Sequence, residues 1–124
     1  PVLGDWTAEF GYRAGLELLD GEDFTAVFCS NDQMALGLLH AFRERGVRVP
    51  DDVSIVGFDD IPEAAHFWPP LTTIRQDFAE IGRRSVDLLL AELGEGGQRY
   101  AEPIQPVLVL RSSTGAPGAP GGRA

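Results

Sequence analysis

The sequence has 124 residues, of which 44% are hydrophobic and 23% are charged, so it is a globular domain or a piece of one. Its net charge of −9 repels phosphate, which argues against direct nucleic-acid contact by this segment. No apolar run approaches the ~18 residues of a membrane span, and the opening PVLGDW is not a signal peptide but begins abruptly, as a fragment would.

The first half of the chain predicts helices that alternate with short strands. Apolar spacing and short apolar runs give these elements in order: helix 8–19, strand 25–29, helix 31–45 and strand 53–58. Asp5 or Thr7 is expected to cap the first helix. Ser30 and Gln33 have capping-box spacing at the start of the second, and Gly46 is a natural stop. The unbroken apolar run of the second strand is typical of a buried parallel strand.

The second half continues the alternation after a connector over 61–70, closed by Pro69-Pro70. The predicted elements are strand 72–75 (TTIR), helix 77–93 and strand 106–111 (PVLVLR). The tail GAPGAPGGRA is low in complexity and is predicted to be disordered. Helices alternating with short apolar strands predict an α/β fold with a parallel sheet.

Polar side chains follow the ends of three predicted strands. Asn31, Asp59 and Gln76 each lie just past such an end, where open α/β sheets bind their ligands. Asp59 offers acceptors, and the two amides both donate and accept hydrogen bonds. Trp6 adds an aromatic face at the start of the first helix. A carboxylate, amides and an aromatic ring are what a sugar requires, because its hydroxyls pair with polar groups and its C–H face stacks on a ring.

Plainer roles compete for each of these residues. Asn31 and Asp60 occupy helix-start positions and could be caps alone. Asp59 is harder to dismiss, because two adjacent carboxylates exceed what one cap needs. Trp6 could be a core residue or part of a hydrophobic staple.

Catalytic and metal-binding constellations are not predicted. His40 and His66 have no partner at ligand spacing, so no metal site or cofactor is expected. Asp59 and Asp60 could form an acid/base pair, but no nucleophile or phosphate loop accompanies them. Cys29 lies in a strand and is expected to be inert packing, and a single cysteine is compatible with a reducing, cytoplasmic compartment.

A helical stripe of Met34, Leu38 and Phe42 predicts the core face of the second helix. Leu36 and Leu39 widen this stripe beyond what one sheet contact needs, so part of it can meet another subunit.

Four segments, taken in order, closely resemble the lactose-repressor (LacI/GalR) family of bacterial transcription regulators: GDW (4–6), SNDQMALG (30–37), GVRVPDDVSIVGFDD (46–60) and PPLTTIRQDF (69–78). The resemblance spans residues 4–114. It implies a ligand domain of the periplasmic-binding-protein-like (type I) class, in which two α/β lobes hold an effector between them. The family's helix-turn-helix, its hinge helix and most of its N-terminal lobe are not in this chain.

The resemblance also divides the chain. It implies these parts: a partial C-terminal lobe over 1–76, a crossover helix and strand of the N-terminal lobe over 77–107, a return segment over 108–114, and the tail over 115–124.

Site residues follow from the resemblance by matching motifs. The implied effector contacts are Trp6, Asn31, Asp59, Gln76 and Phe78; the family arginine that precedes GDW is absent. The implied two-fold dimer interface involves Leu36, Leu39, His40, Ile61, Phe67 and Trp68.

These observations predict the effector-sensing segment of a sugar-responsive, LacI-type homodimeric regulator, which is not an enzyme and reaches operator DNA only through a domain outside this chain. Two alternatives remain at this point. One is a periplasmic sugar-binding protein of the same fold. The other is a carbohydrate-active enzyme using Asp59 and Asp60, although adjacent carboxylates are badly placed to flank one bond.

The helix over 77–93 carries an apolar stripe that a missing lobe would normally cover. We expect it to fold back on its own sheet, to be exchanged with a second copy, or to be covered by the rest of a longer molecule.

Overall fold

The computed structural model describes residues 4–21 and 23–117. Its elements are α1 (Ala8–Leu19), β1 (Ala26–Phe28), α2 (Asp32–Glu44), β2 (Ser54–Asp59), a 3-10 helix (Pro62–His66), β3 (Thr72–Arg75), α3 (Phe78–Leu93) and β4 (Val107–Val109). The strands form one sheet in the order β1-β2-β3-β4, and β1 pairs with β2 in parallel. The predicted α/β class is therefore confirmed.

Backbone contacts divide the chain into two compact units. The first comprises residues 1–74 and 108–124, and the second comprises residues 75–107.

The core of the first unit lies between the sheet and α2. Its fully buried apolar side chains include Phe42, Val53, Ile55 and Leu71. Leu38 and Phe42 belong to the helical stripe predicted from the sequence, and both are buried.

Helices α1 and α2 cross at glycines, and this close approach sets the position of the first helix. A Cβ atom on Gly37 would lie 1.8 Å from the carbonyl oxygen of Ala8, and one on Gly11 would lie 2.1 Å from that of Met34. Since no larger side chain fits there, the two backbones can touch only at glycine.

Local side chains begin both helices. Thr7 caps α1 by accepting from Phe10 N–H at 3.1 Å. The capping box predicted at Ser30 and Gln33 is wrong, because Asn31 has the extended backbone of an N-cap and its Oδ1 accepts from Met34 N–H at 2.8 Å. Gly46 follows the end of α2 with φ of 73°, the left-handed conformation that ends many helices.

The predicted disorder of the tail over 115–124 is wrong at its first residue. Gly115 N–H donates to Ser54 Oγ at 3.1 Å, so the chain is still ordered at this residue. The predicted disorder over 118–124 lies outside the described residues.

The second unit is built on α3. Asp77 caps the helix by accepting from Glu80 N–H at 2.9 Å, and Gly94 ends it in the left-handed conformation. On one face, Glu80 pairs with the guanidinium groups of Arg83 and Arg84, each at 2.6 Å.

Tyr100 closes the same network of α3. Arg84 lies over its ring, with the guanidinium carbon 4.5 Å from the centroid, and Arg83 Nη1 donates to its hydroxyl oxygen at 2.6 Å. The hydroxyl of Tyr100 in turn donates to Asp87. These bonds tie the segment after α3 back to the helix.

Large apolar side chains of α3 are exposed: Phe78, Val86, Leu88, Leu89 and Leu93. Ile81, the remaining residue of the predicted stripe, is half-buried.

Candidate ligand-binding site

Trp6 and Asn31 are joined directly. Asn31 is buried, and its Nδ2 donates to the carbonyl oxygen of Trp6 at 2.9 Å while its Oδ1 caps α2. The backbone of Trp6 is left-handed, with φ of 69°, and its indole is 64% exposed. Asn31 is thus a cap, as one reading of the sequence held, and it also fixes the backbone that presents the indole.

The turn before α1 is stabilised by Asp5. Its Oδ1 accepts from the N–H of Thr7 at 3.0 Å and from the Thr7 hydroxyl at 2.6 Å. These hydrogen bonds lower the pKa of Asp5 below its usual value, because they favour the charged carboxylate. Asp5 therefore helps to define the segment that carries Trp6.

Asp59 and Asp60 form a left-handed turn at the end of β2, with φ of 109° and 56°. Non-glycine residues in this region cost roughly 1–3 kcal/mol each and persist where neighbouring contacts over-determine them, often at functional sites. Since β1 and β2 are parallel, Asp59 and Asn31 lie at the same edge of the sheet.

Asp60 is held by a buried ion pair. Arg111 Nη2 lies 2.6 Å from Asp60 Oδ1, and its Nη1 donates to the carbonyl oxygen of Leu71 at 2.7 Å. The alternative that Asp60 only caps the following helix is wrong, because that 3-10 helix has Ile61 as N-cap and no side-chain capping bond. Sequence reasoning missed Arg111; the signal was a lone arginine directly after an apolar strand.

Asp32 lies beneath this turn and is fully buried. Its Oδ1 accepts from the hydroxyl of Thr73 at 2.6 Å, and its Oδ2 accepts from Ile61 N–H at 2.9 Å. Burial raises the pKa of Asp32, although these two hydrogen bonds favour the charged form. Asp32 is not among the site residues predicted from the sequence.

The remaining predicted contacts, Gln76 and Phe78, belong to the second unit. They flank Asp77, the N-cap of α3, and Phe78 N–H donates to the carbonyl oxygen of Gln76 at 3.1 Å. The ring of Phe78 is 57% exposed. The structure thus brings Trp6 and Asn31 into contact and places Asp59 at their edge of the sheet, while the other two residues begin α3.

The predicted interface residues divide into surface and core. Leu36 and Trp68 are exposed, and so is His40, which stacks on Tyr12 with ring centroids 4.8 Å apart. Ile61 is half-buried and packs against the core. Leu39 and Phe67 are buried, so the prediction that their side chains form an outer face is wrong. The side chains of Leu39 and Phe67 belong to the core, because α2 and the connector pack against the sheet.

Cys29 is buried at the end of β1, and its burial raises the thiol pKa to about 12. A thiol with this pKa is almost wholly protonated near neutral pH and is a poor nucleophile. In the described part of the chain, no cluster of three or more His, Cys, Asp or Glu side chains could hold a metal ion. No helix over 4–21 or 23–117 is both long and apolar enough to cross a membrane.

Comparison with known proteins gives a consistent result. The family model for a periplasmic binding protein-like domain matches residues 4–114. The HTH-type transcriptional repressor PurR of Haemophilus influenzae (strain PittEE) is 44% identical over 115 residues, which are 89% of this chain and 34% of that protein. The lactose operon repressor of Escherichia coli (strain K12) is 45% identical over 116 residues, or 92% of this chain and 32% of that protein.

Solved structures agree with the sequence relatives. A dimeric Lac repressor with a C-terminal deletion superimposes with a TM-score of 0.79 at 43% identity, covering 92% of this chain and 42% of that one. A complex of the transcriptional regulator CelR with cellobiose has a TM-score of 0.78 at 38% identity, covering 89% of this chain and 34% of that one. The chain therefore spans about a third of the length of the sequence relatives named above.

Proposed function

Since this chain belongs to the periplasmic binding protein-like domain family, in its lactose-repressor (LacI/GalR) branch of transcription regulators, we propose that it senses a neutral sugar. The observation that carries this proposal is the hydrogen bond by which Asn31 fixes the backbone of the exposed Trp6, at the edge of the sheet where the strained Asp59 ends β2. One structural neighbour at 38% identity is a complex with cellobiose, which supports the same chemistry.

The predicted contacts explain the choice of a neutral ligand. Asp59 supplies a carboxylate, Asn31 and Gln76 supply amides, and no cluster of Lys or Arg accompanies them in the sequence, where Arg75 is the only nearby cation. Arg111 binds Asp60, the residue after Asp59, and its positive charge is paired there. A phosphorylated ligand would require cations that are not paired in this way.

The sugar would act by favouring one of two arrangements of the lobes. Binding shifts such an equilibrium only as far as the ligand's affinity differs between the two states. We propose that the change is passed to a helix-turn-helix domain outside this chain, which would bind operator DNA. The whole protein would then be a cytoplasmic regulator.

We further propose a homodimer in which the exposed face of Leu36 and His40 meets its copy, with Trp68 as an aromatic anchor. Large aromatic side chains are enriched at the centres of such interfaces, and Trp68 is 78% exposed in the isolated chain. A structural neighbour at 43% identity is a dimeric Lac repressor, which supports this assembly.

The sugar proposal is tested by Asp59→Ala in the full-length protein, with calorimetry against neutral sugars, sugar phosphates and purines. We expect a loss of about 2–4 kcal/mol in binding free energy, because charge-assisted hydrogen bonds to the hydroxyls are removed. Asp51→Ala is the matched control, since Asp51 lies on the surface next to Arg48 and should leave the affinity unchanged.

An unchanged dissociation constant for Asp59→Ala would remove this residue from the site. Tight binding by the wild-type protein of phosphorylated sugars or purines only would overturn the neutral-sugar proposal as a whole.

A further inference from the structure

Asp32 is a buried carboxylate for which the proposed ligand contacts give no role. It is the first residue of α2, next to the cap residue Asn31, and it is fully buried. Both of its oxygens are used within the protein, one by the hydroxyl of Thr73 and the other by Ile61 N–H. One side chain thus connects α2, β3 and the segment that follows β2.

The chemistry of these contacts suits a carboxylate at this position. Both partners donate in this structure, and an ionised carboxylate accepts with both oxygens, whereas an amide would keep both contacts only by turning its NH₂ group to the Thr73 hydroxyl, which then has to accept. The start of a helix also favours a negative charge. Gly57 leaves the necessary space, because a Cβ atom there would lie 2.2 Å from Asp32 Oδ1.

The contact with Ile61 falls directly after the strained turn. Asp59 and Asp60 both have positive φ, and such a conformation persists only when neighbouring contacts enforce it. The turn is held on two sides, since Arg111 binds the side chain of Asp60 and Asp32 binds the backbone of Ile61. Asp59, the predicted ligand contact, is the residue that this pair of restraints orients.

We propose that Asp32 is a positioning residue for the ligand site. Its carboxylate would hold Ile61 N–H, keep the Asp59–Asp60 turn left-handed and so aim the Asp59 side chain. The part of this inference that concerns ligand affinity rests on the proposed function; the part that concerns the turn does not.

The test compares two variants of the full-length protein. Asp32→Leu removes both acceptors, including that of Ile61 N–H, while Thr73→Val removes only the donor to the other oxygen. Both changes keep the branched shape of the side chain at a buried position. We would measure the sugar dissociation constant, the stability in urea, and amide exchange by NMR on protein labelled with ¹⁵N-isoleucine.

In the wild type, the amide of Ile61 should exchange slowly, like that of Ile55, which donates to the carbonyl oxygen of Ser113. Asp32→Leu should speed exchange at Ile61 and raise the dissociation constant, each by about tenfold, the effect of losing one hydrogen bond to a charged group. Exchange at Ile55 should be unchanged. Thr73→Val should lose stability yet keep the Ile61 protection and an affinity within about threefold of wild type.

Equal losses of affinity in the two variants, in proportion to stability, would show a merely structural carboxylate and overturn the proposal. So would fast exchange at Ile61 in the wild type, a result that remains decisive if Asp32→Leu does not fold. If the wild-type protein bound no neutral sugar, the proposed function would fall, while exchange at Ile61 would still decide whether Asp32 holds the turn.

Discussion

Arg111 is the clearest case of a residue whose role depends on distant parts of the chain. Its guanidinium group reaches Asp60 and the carbonyl oxygen of Leu71, and its own N–H donates to the hydroxyl of Thr72 at 3.0 Å. The side chains of Arg111 and Asp60 are 16% and 6% exposed. A complete buried ion pair changes the free energy of unfolding little. Removing one partner lowers that free energy strongly, because the other charge stays buried without its counter-charge.

We therefore expect Arg111→Met to lower the free energy of unfolding by about 3–5 kcal/mol, because it leaves the Asp60 carboxylate buried without its partner. Urea denaturation of the 124-residue chain would measure this loss. Arg13→Met is the control, since Arg13 lies 3.8 Å from Glu9 and both side chains are largely exposed; its loss should stay below about 1 kcal/mol. A loss as small for Arg111→Met would show that the buried pair contributes no more than a surface pair.

At the scale of elements, the crossing of α1 and α2 depends on glycine. Gly37→Ala would place a Cβ atom 1.8 Å from the carbonyl oxygen of Ala8, which is backbone and cannot move aside as a side chain can. We expect a loss of about 1–3 kcal/mol in unfolding free energy from overpacking, measured by urea denaturation. Because α1 begins just after Trp6, sugar affinity should also fall.

The matched control is Gly82→Ala in the middle of α3, where nothing lies within 4 Å of the added Cβ. There alanine should stabilise the helix by about 0.5–1 kcal/mol, since glycine loses more backbone freedom on folding. If Gly37→Ala were as stable as this control, the close helix contact would not be required.

The polar face of α3 makes a prediction about pH. Hydrogen bonds from Arg83 and Arg84 lower the pKa of Glu80 to about 2 from a usual value of 4.5. A carboxyl whose pKa is lowered in the folded state contributes its stabilisation fully above pH 4.5 and loses it as the pH falls through about 2.

We expect NMR titration of the Glu80 side chain in the 124-residue chain to give a midpoint near pH 2. Helix content of Glu80→Gln should depend less on pH over the same window, because the titrating group is gone. Glu92→Gln serves as the control, since the Glu92–Arg99 pair is exposed on both sides. A Glu80 midpoint near 4.5 would show that the two guanidinium groups do not hold the carboxylate in solution.

At the scale of the whole molecule, the isolated chain leaves large apolar side chains of α3 exposed. Burying a large apolar side chain contributes roughly 1.5–3 kcal/mol, so the exposed stripe of α3 is a substantial penalty for a domain of ordinary stability. Exchange with a second copy, or cover by the rest of a longer protein, would remove it; intact mass together with hydrophobic-dye binding separates these cases.

The proposed homodimer is tested by Leu36→Asp combined with Trp68→Ala in the full-length protein. Both side chains are exposed in the single chain, so the changes should leave the core intact. At the interface, Leu36→Asp introduces a charge and Trp68→Ala removes the aromatic anchor. Sedimentation should show monomer. Glu17→Arg, at an exposed position of α1, is the control outside the proposed interface; a dimer that survived the double substitution would place the interface elsewhere.

The sequence by itself determined the element order, most element types and the family, because apolar periodicity and stop signals are local. The start of α2 could be located within one residue, although the cap proved to be Asn31 rather than Ser30. The motifs also identified Trp6, Asn31 and Asp59 as a group, since each follows or precedes an element whose end could be predicted.

Only the tertiary structure decided how those residues are held. Asp32 meets Ile61 across 29 positions and Arg111 meets Asp60 across 51, distances over which no local pattern specifies a partner. Leu39 and Phe67 matched an interface pattern but are buried, because the packing of α2 and the connector against the sheet decides which apolar side chains remain outside. The left-handed turn at Asp59 likewise persists through long-range contacts, since neither aspartate favours that conformation strongly enough on its own.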